Sequence, residues 1–65
     1  MKITELGRVT ENSGSPTLFE TDRGSYLVQG WRITDPEALA AMSIPDHETV
    51  VEIPKALLGF AREQS

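Results

Sequence analysis

The sequence holds one histidine, His47, set between two carboxylates in Asp46-His47-Glu48. An imidazole oriented by a carboxylate is the arrangement of a general base. Adjacent residues of a polar segment seldom point inward together, so this trio reads as a solvated turn. Glu48 and Glu52 are of a type that cleaves glycosides in pairs, and four apart on a strand they share a face. A chain of 65 residues is too small to surround a glycan with a cleft, so solubility and a charged strand edge are the better reading. The serines at 13, 15, 25 and 43 lie in no nucleophile-elbow pattern. With no cysteine there is no thiolate nucleophile, disulfide or thiolate zinc site. Gly24 and Gly30 lack both dinucleotide-binding and Walker spacing and read as turn and bulge. The expectation is a non-enzymatic protein with no catalytic residue, metal ligand or cofactor.

Residues suited to binding are easier to find. Tyr26 and Trp31 are the only Tyr and Trp, and such rings bury large area at small entropic cost. Leu57 and Phe60 lie in an apolar terminal segment that serves either as core or as a helix offered to a groove. Arg23 sits at a turn and would form a rim. Arg23, Tyr26, Trp31, Leu57 and Phe60 are therefore the expected protein-interface residues. The alternative is direct nucleic-acid binding through the 18–33 hairpin, with Arg23, Tyr26 and Arg32 as contacts. Glu20 and Asp22 are close by, which disfavours it.

The elements that must position these residues centre on Leu18 to Ile33. Thr17 to Thr21 reads as a strand, Asp22-Arg23-Gly24 as a hairpin turn, and Ser25 to Ile33 as a longer strand. Tyr26 and Val28 would face one way, Leu27, Gln29 and Trp31 the other. Neither set is cleanly polar, which suggests a partly covered second face or a bulge at Gly30 that switches faces. Thr34 to Met42 reads as a helix with two rival starts: a Thr34/Glu37 capping box, or an Asp35 cap with Pro36 at the first position. Thr49 to Ile53 reads as a third strand, and Pro54 opens a short helical segment over Lys55 to Arg62. The N-terminal Ile3, Leu6 and Val9 are spaced by three among poor helix formers. Residues 1–16 are therefore expected as a weakly ordered arm and loop, with disorder or a brief edge strand at Ile3 the rivals, 17–62 as a single small domain, and 63–65 as a frayed tail. The fold class is α+β: a small three-stranded, mainly antiparallel sheet with two short helices.

Composition bounds the rest. A chain this short buries only about 60% of its extended surface, and small folds are commonly reinforced by disulfides, a metal or another subunit. Cysteine is absent, so either the core is efficient or a second copy or a different protein completes it, and a homodimer or protein partner is the expectation. Ten acidic against six basic residues give a net charge of −4, which argues against a phosphate-binding surface. No apolar run is long enough to cross a bilayer, and MKITELGRV carries charge within its apolar stretch. A cytoplasmic location is expected.

The chain runs in order through NSGSP at 12–16, YLVQGW at 26–31, TDPEAL at 34–39 and IPKALLGF at 53–60. That order of pieces resembles a group of very small actinobacterial proteins of unknown function encoded beside helix-turn-helix regulators of the Xre type. The cysteine often seen near that group's first strand is missing, and the Asp-Pro pair leads into helix formers rather than a Gly-Pro turn. The resemblance implies a regulatory accessory protein that binds a DNA-binding partner, as antagonist or as half of a toxin–antitoxin-like pair.

Overall fold

The computed structural model describes residues 1–10 and 14–63. Among these the strands are β1 (Ile3–Arg8), β2 (Thr17–Thr21), β3 (Tyr26–Gln29), β4 (Trp31–Arg32) and β5 (Val51–Glu52). Helix α1 is Pro36–Ala41, and a 3-10 helix, Lys55–Leu58, runs into α2, Gly59–Glu63. The fold is a small α+β one: β1-β2-β3 form a three-stranded antiparallel sheet, and β4-β5 a separate two-stranded antiparallel ladder. The expected sheet is present, but its third strand comes from the N-terminus rather than from 49–53.

The weakly ordered arm is thus corrected to a strand. The spacing by three that disguised it has a cause in the ladder. The β1-β2 register slips between Glu5 and Gly7, leaving Leu6 as an extra residue. Such a bulge adds one residue to an alternation of two, so Ile3 and Leu6 lose strand periodicity. Both ends of β1 are tied down. The Asp22 N–H donates to the Lys2 carbonyl (3.1 Å) and the Lys2 N–H to Asp22 Oδ1 (3.2 Å). At the other end Val9 N–H donates to the Pro16 carbonyl (2.9 Å). Of the loop expected at 11–16, residues 11–13 lie outside the described residues, as do 64–65 of the expected tail.

The β2-β3 turn is built around one hydroxyl. Thr21 Oγ1, in a buried side chain, accepts from the N–H of Arg23 (3.1 Å) and of Ser25 (3.3 Å) and pairs with Ser25 Oγ (2.8 Å). Gly24 takes φ 75°, a left-handed conformation that other residues rarely adopt. Both choices of residue follow from the turn's geometry.

Leu18 on β2 and Leu57 on the 3-10 helix are the large apolar side chains that are fully buried. Leu18 lies opposite Gly7 in the ladder, so both belong to one face of the sheet. A Cβ on Gly7 would fall inside the Phe60 ring, which places α2 flat against that same face. The C-terminal segment is therefore a lid on β1 and β2. Burying Leu57 contributes about 1.5–3 kcal/mol, a large share of the stability of so small a chain.

At Gly30 the long strand expected from sequence breaks in two. A Cβ there would meet the Glu52 carbonyl oxygen at 2.5 Å and Ile53 Cγ2 at 2.7 Å, so β5 crosses directly over this residue. Beyond it β4 turns away from β2 and pairs with β5, Trp31 opposite Glu52 and Arg32 opposite Val51. Helix α1 takes the second of its two rival starts. Asp35 Oδ2 accepts from the Ala38 N–H (3.2 Å) and Pro36 occupies the first turn. It is six residues long with none buried.

Candidate interaction surface

The phase of the hairpin ladder decides which backbone groups β3 leaves open. The Thr21 N–H donates to the Ser25 carbonyl at 2.9 Å. In an antiparallel pair bonded and non-bonded positions alternate. With Phe19 opposite Leu27 and Thr17 opposite Gln29, Leu27 and Gln29 bond inward to β2. Tyr26 and Val28 then turn their N–H and C=O groups to the open side of the strand. β3 is the last strand of its sheet on that side.

The side chains of this edge are also open. Tyr26, Leu27 and Val28 are 48%, 40% and 38% exposed, and the strand carries no charge, proline or bulge. Tyr26 and Val28 share the face of Leu18; Leu27 shares that of Phe19 and Thr17. Sequence reasoning selected Tyr26 and passed over Leu27 and Val28. The usable signal was YLVQ itself, four uncharged residues with apolar side chains on both faces.

The other expected contact residues divide. Arg23 is exposed at the tip of the hairpin, as a rim residue would be. Trp31 is half-buried, and its indole covers Gly14: a Cβ on Gly14 would stand 2.6 Å from Nε1. Leu57 is fully buried and is corrected from a contact residue to core, whereas Phe60 is half-buried with its ring pressed on Gly7. The reason is helical pitch. Residues 55–58 wind as a 3-10 helix, and it is Leu58, 60% exposed, that faces outward.

Arg23, Tyr26 and Arg32 lie on different elements: the hairpin turn, β3 and β4. Arg32 lies on the β4-β5 ladder, not on the sheet that carries Tyr26. Glu20 stands directly across from Tyr26, placing a carboxylate beside the ring that would stack on a base.

Candidate chemistry is similarly dispersed. His47 is 82% exposed in a turn closed by the Glu48 N–H to the Pro45 carbonyl (3.0 Å), with Glu48 Oε2 3.9 Å from its Nε2. Glu52 lies on β5, outside that turn. Among the described residues no three His, Asp or Glu side chains are grouped to hold a metal ion, and no helix is long and apolar enough to cross a membrane. An open groove of about 560 Å³ runs between α1 and the β4-β5 ladder, floored by Ala38, Met42 and Val51. Arg32, Asp35 and Glu52 also line it.

The shape of the whole chain adds a quantitative point. It exposes 5246 Å², whereas a compact monomer of 7.2 kDa exposes about 4100 Å². The radius of gyration is 13.1 Å, against about 11 Å for a compact domain of 65 residues. The molecule is a slab of 34 × 29 × 18 Å. It has surface to spare.

No family model matches the chain, and no curated protein or solved structure matches it significantly. The layout resemblance to the small actinobacterial proteins gains no support from relatives.

Proposed function

We propose that this protein is a non-enzymatic binding module, a cytoplasmic subunit completed by another polypeptide chain. The observation that carries the reading is the open β3 strand: unpaired backbone groups beside three exposed apolar side chains, on a molecule with about 1100 Å² more surface than its mass requires. A strand of this kind binds polypeptide by extending the sheet, main-chain bonds giving affinity and alternate side chains giving selectivity. The resemblance of layout nominates a helix-turn-helix regulator as a further partner, and a chain of net charge −4 complements a basic DNA-binding surface.

Affinity capture from the native cell, read by mass spectrometry, tests the reading with the intact chain and a Val28→Lys variant in parallel. The expected result is a polypeptide recovered in stoichiometric amount with the intact chain and lost with the variant. A Lys at this position is the ordinary means by which proteins close a strand edge. Recovery of nothing above background, or equal recovery with both baits, overturns it.

A further inference from the structure

We infer that the polypeptide seated on β3 is a second copy of this chain, its β3 running antiparallel to the first about a two-fold axis that passes beside Leu27. The inference rests on the reading of the chain as a binding module and names the occupant. It starts from the phase of the ladder. Because Tyr26 and Val28 are the residues that turn their backbone outward, an added antiparallel strand must place its own outward-turned residues opposite them. Two copies meet this requirement on each other in a register centred on Leu27. Tyr26 of each copy then pairs with Val28 of the other, exchanging N–H···O bonds in both directions, and the two Leu27 residues face one another at a non-bonded position.

The side chains agree with that register. Tyr26 against Val28 is an aromatic on a β-branched residue, and leucine against leucine fills the opposite face; both are favourable cross-strand pairs. No charge occurs anywhere on Tyr26–Gln29, so identical copies meet with no like charges opposed. Symmetry also requires a surface that complements itself, and a short, flat, uncharged strand does so. The two meanders join into one continuous six-stranded sheet.

An ordinary specific interface takes roughly 800 Å² from each partner, and the exposed Tyr26, Leu27 and Val28 supply only part of that. The ladder is short, so association belongs at the weak end of that class, in the micromolar range. The N-terminal edge of the same sheet is unsuited to the same use, since its bulge and its Glu5–Arg8 pair interrupt any added ladder.

Analytical ultracentrifugation of the full chain from low-micromolar to submillimolar concentration should show mass rising from one copy to two. Leu27→Lys and Leu27→Glu place like charges on the axis, and each should sediment as a monomer with at least a tenfold weaker association. Mixed in equal amounts, they should recover a dimer. Circular dichroism and thermal melting establish that both variants fold. Should either fail to fold, the intact protein gives the answer by itself. In a dimer of one isotopically labelled and one unlabelled copy, the register requires an inter-copy contact between the two Leu27 α-protons. A monomer at every concentration, a dimer indifferent to Leu27→Lys, or a dimer without the Leu27 contact overturns the inference. The broader reading stands or falls separately: a monomer that still captures a different polypeptide through Val28 remains a binding module whose partner is not itself.

Discussion

The two outer strands of the three-stranded sheet pair with the same central strand and are finished in opposite ways. β1 is closed off. It carries a bulge at Leu6, an ion pair between Glu5 and Arg8 (2.9 Å), and Gly7 pressed under Phe60. Its ends are held by Asp22 and Pro16. β3 is also held at its ends, by Ser25 on Thr21 and by Gln29 Nε2 on the Ser15 carbonyl, but it has no bulge or ion pair, and Tyr26, Leu27 and Val28 are exposed. Bulges and charges are how sheets avoid unwanted pairing. The two edges of one sheet therefore differ in how far they resist an added strand.

That contrast can be broken or sharpened by substitution. The largest effect is expected at the prop beneath both strands. Leu57→Ala should destabilise the fold by about 2–5 kcal/mol, measured by urea unfolding, because Leu57 and Leu18 are the fully buried apolar anchors among the described residues. A loss below about 1 kcal/mol would mean that the C-terminal segment does not cover the sheet. Next is Gly7→Ala, which forces the Phe60 ring and α2 off the closed edge at a cost of about 1–3 kcal/mol. Gly7 has no positive φ, so the cost is steric. Phe60→Ala in the same chain should relieve it, and a double-mutant cycle with strictly additive losses would contradict the contact. Smallest is Arg8→Ala. Both partners of its ion pair are about half exposed, at 46%, so solvent screening leaves a few tenths of a kcal/mol at most. A thermal melt should scarcely move. A shift of many degrees would show that the pair fastens β1 rather than merely guarding it.

Local chemistry was legible in the sequence where one residue type answers one geometric demand. Gly24 gave the turn, Asp35 with Pro36 gave the start of α1, and the alternation of Tyr26–Gln29 gave the two faces of β3. What was not legible depended on partners distant in the chain. β1 was hidden because its bulge erases strand periodicity, and nothing near Gly7 announces that Phe60 will lie on it. The third strand was assigned to 49–53 because β-branched residues are abundant there, yet only Val51–Glu52 pair, and with β4. Which residue of the apolar Leu57-Leu58 pair is buried depends on the local winding, and residues 55–58 form a 3-10 helix, which composition does not encode. The contact surface was half legible. Tyr26 and Arg23 drew notice by type, whereas Leu27 and Val28 are ordinary core residues until the sheet is seen to end beside them.

The break at Gly30 has a consequence for motion. The main packing contacts join β1, β2, β3 and the C-terminal segment to one another, and β4 to β5, without bridging the two groups strongly. Cooperative units of this sort open independently, the less buried one first. Residues 31–53, with α1 wholly on the surface, would then fluctuate open many times for each global unfolding event. The meander beneath Leu57 would keep its amides protected throughout, and an edge offered to another molecule would stay in place while the rest of the chain breathes.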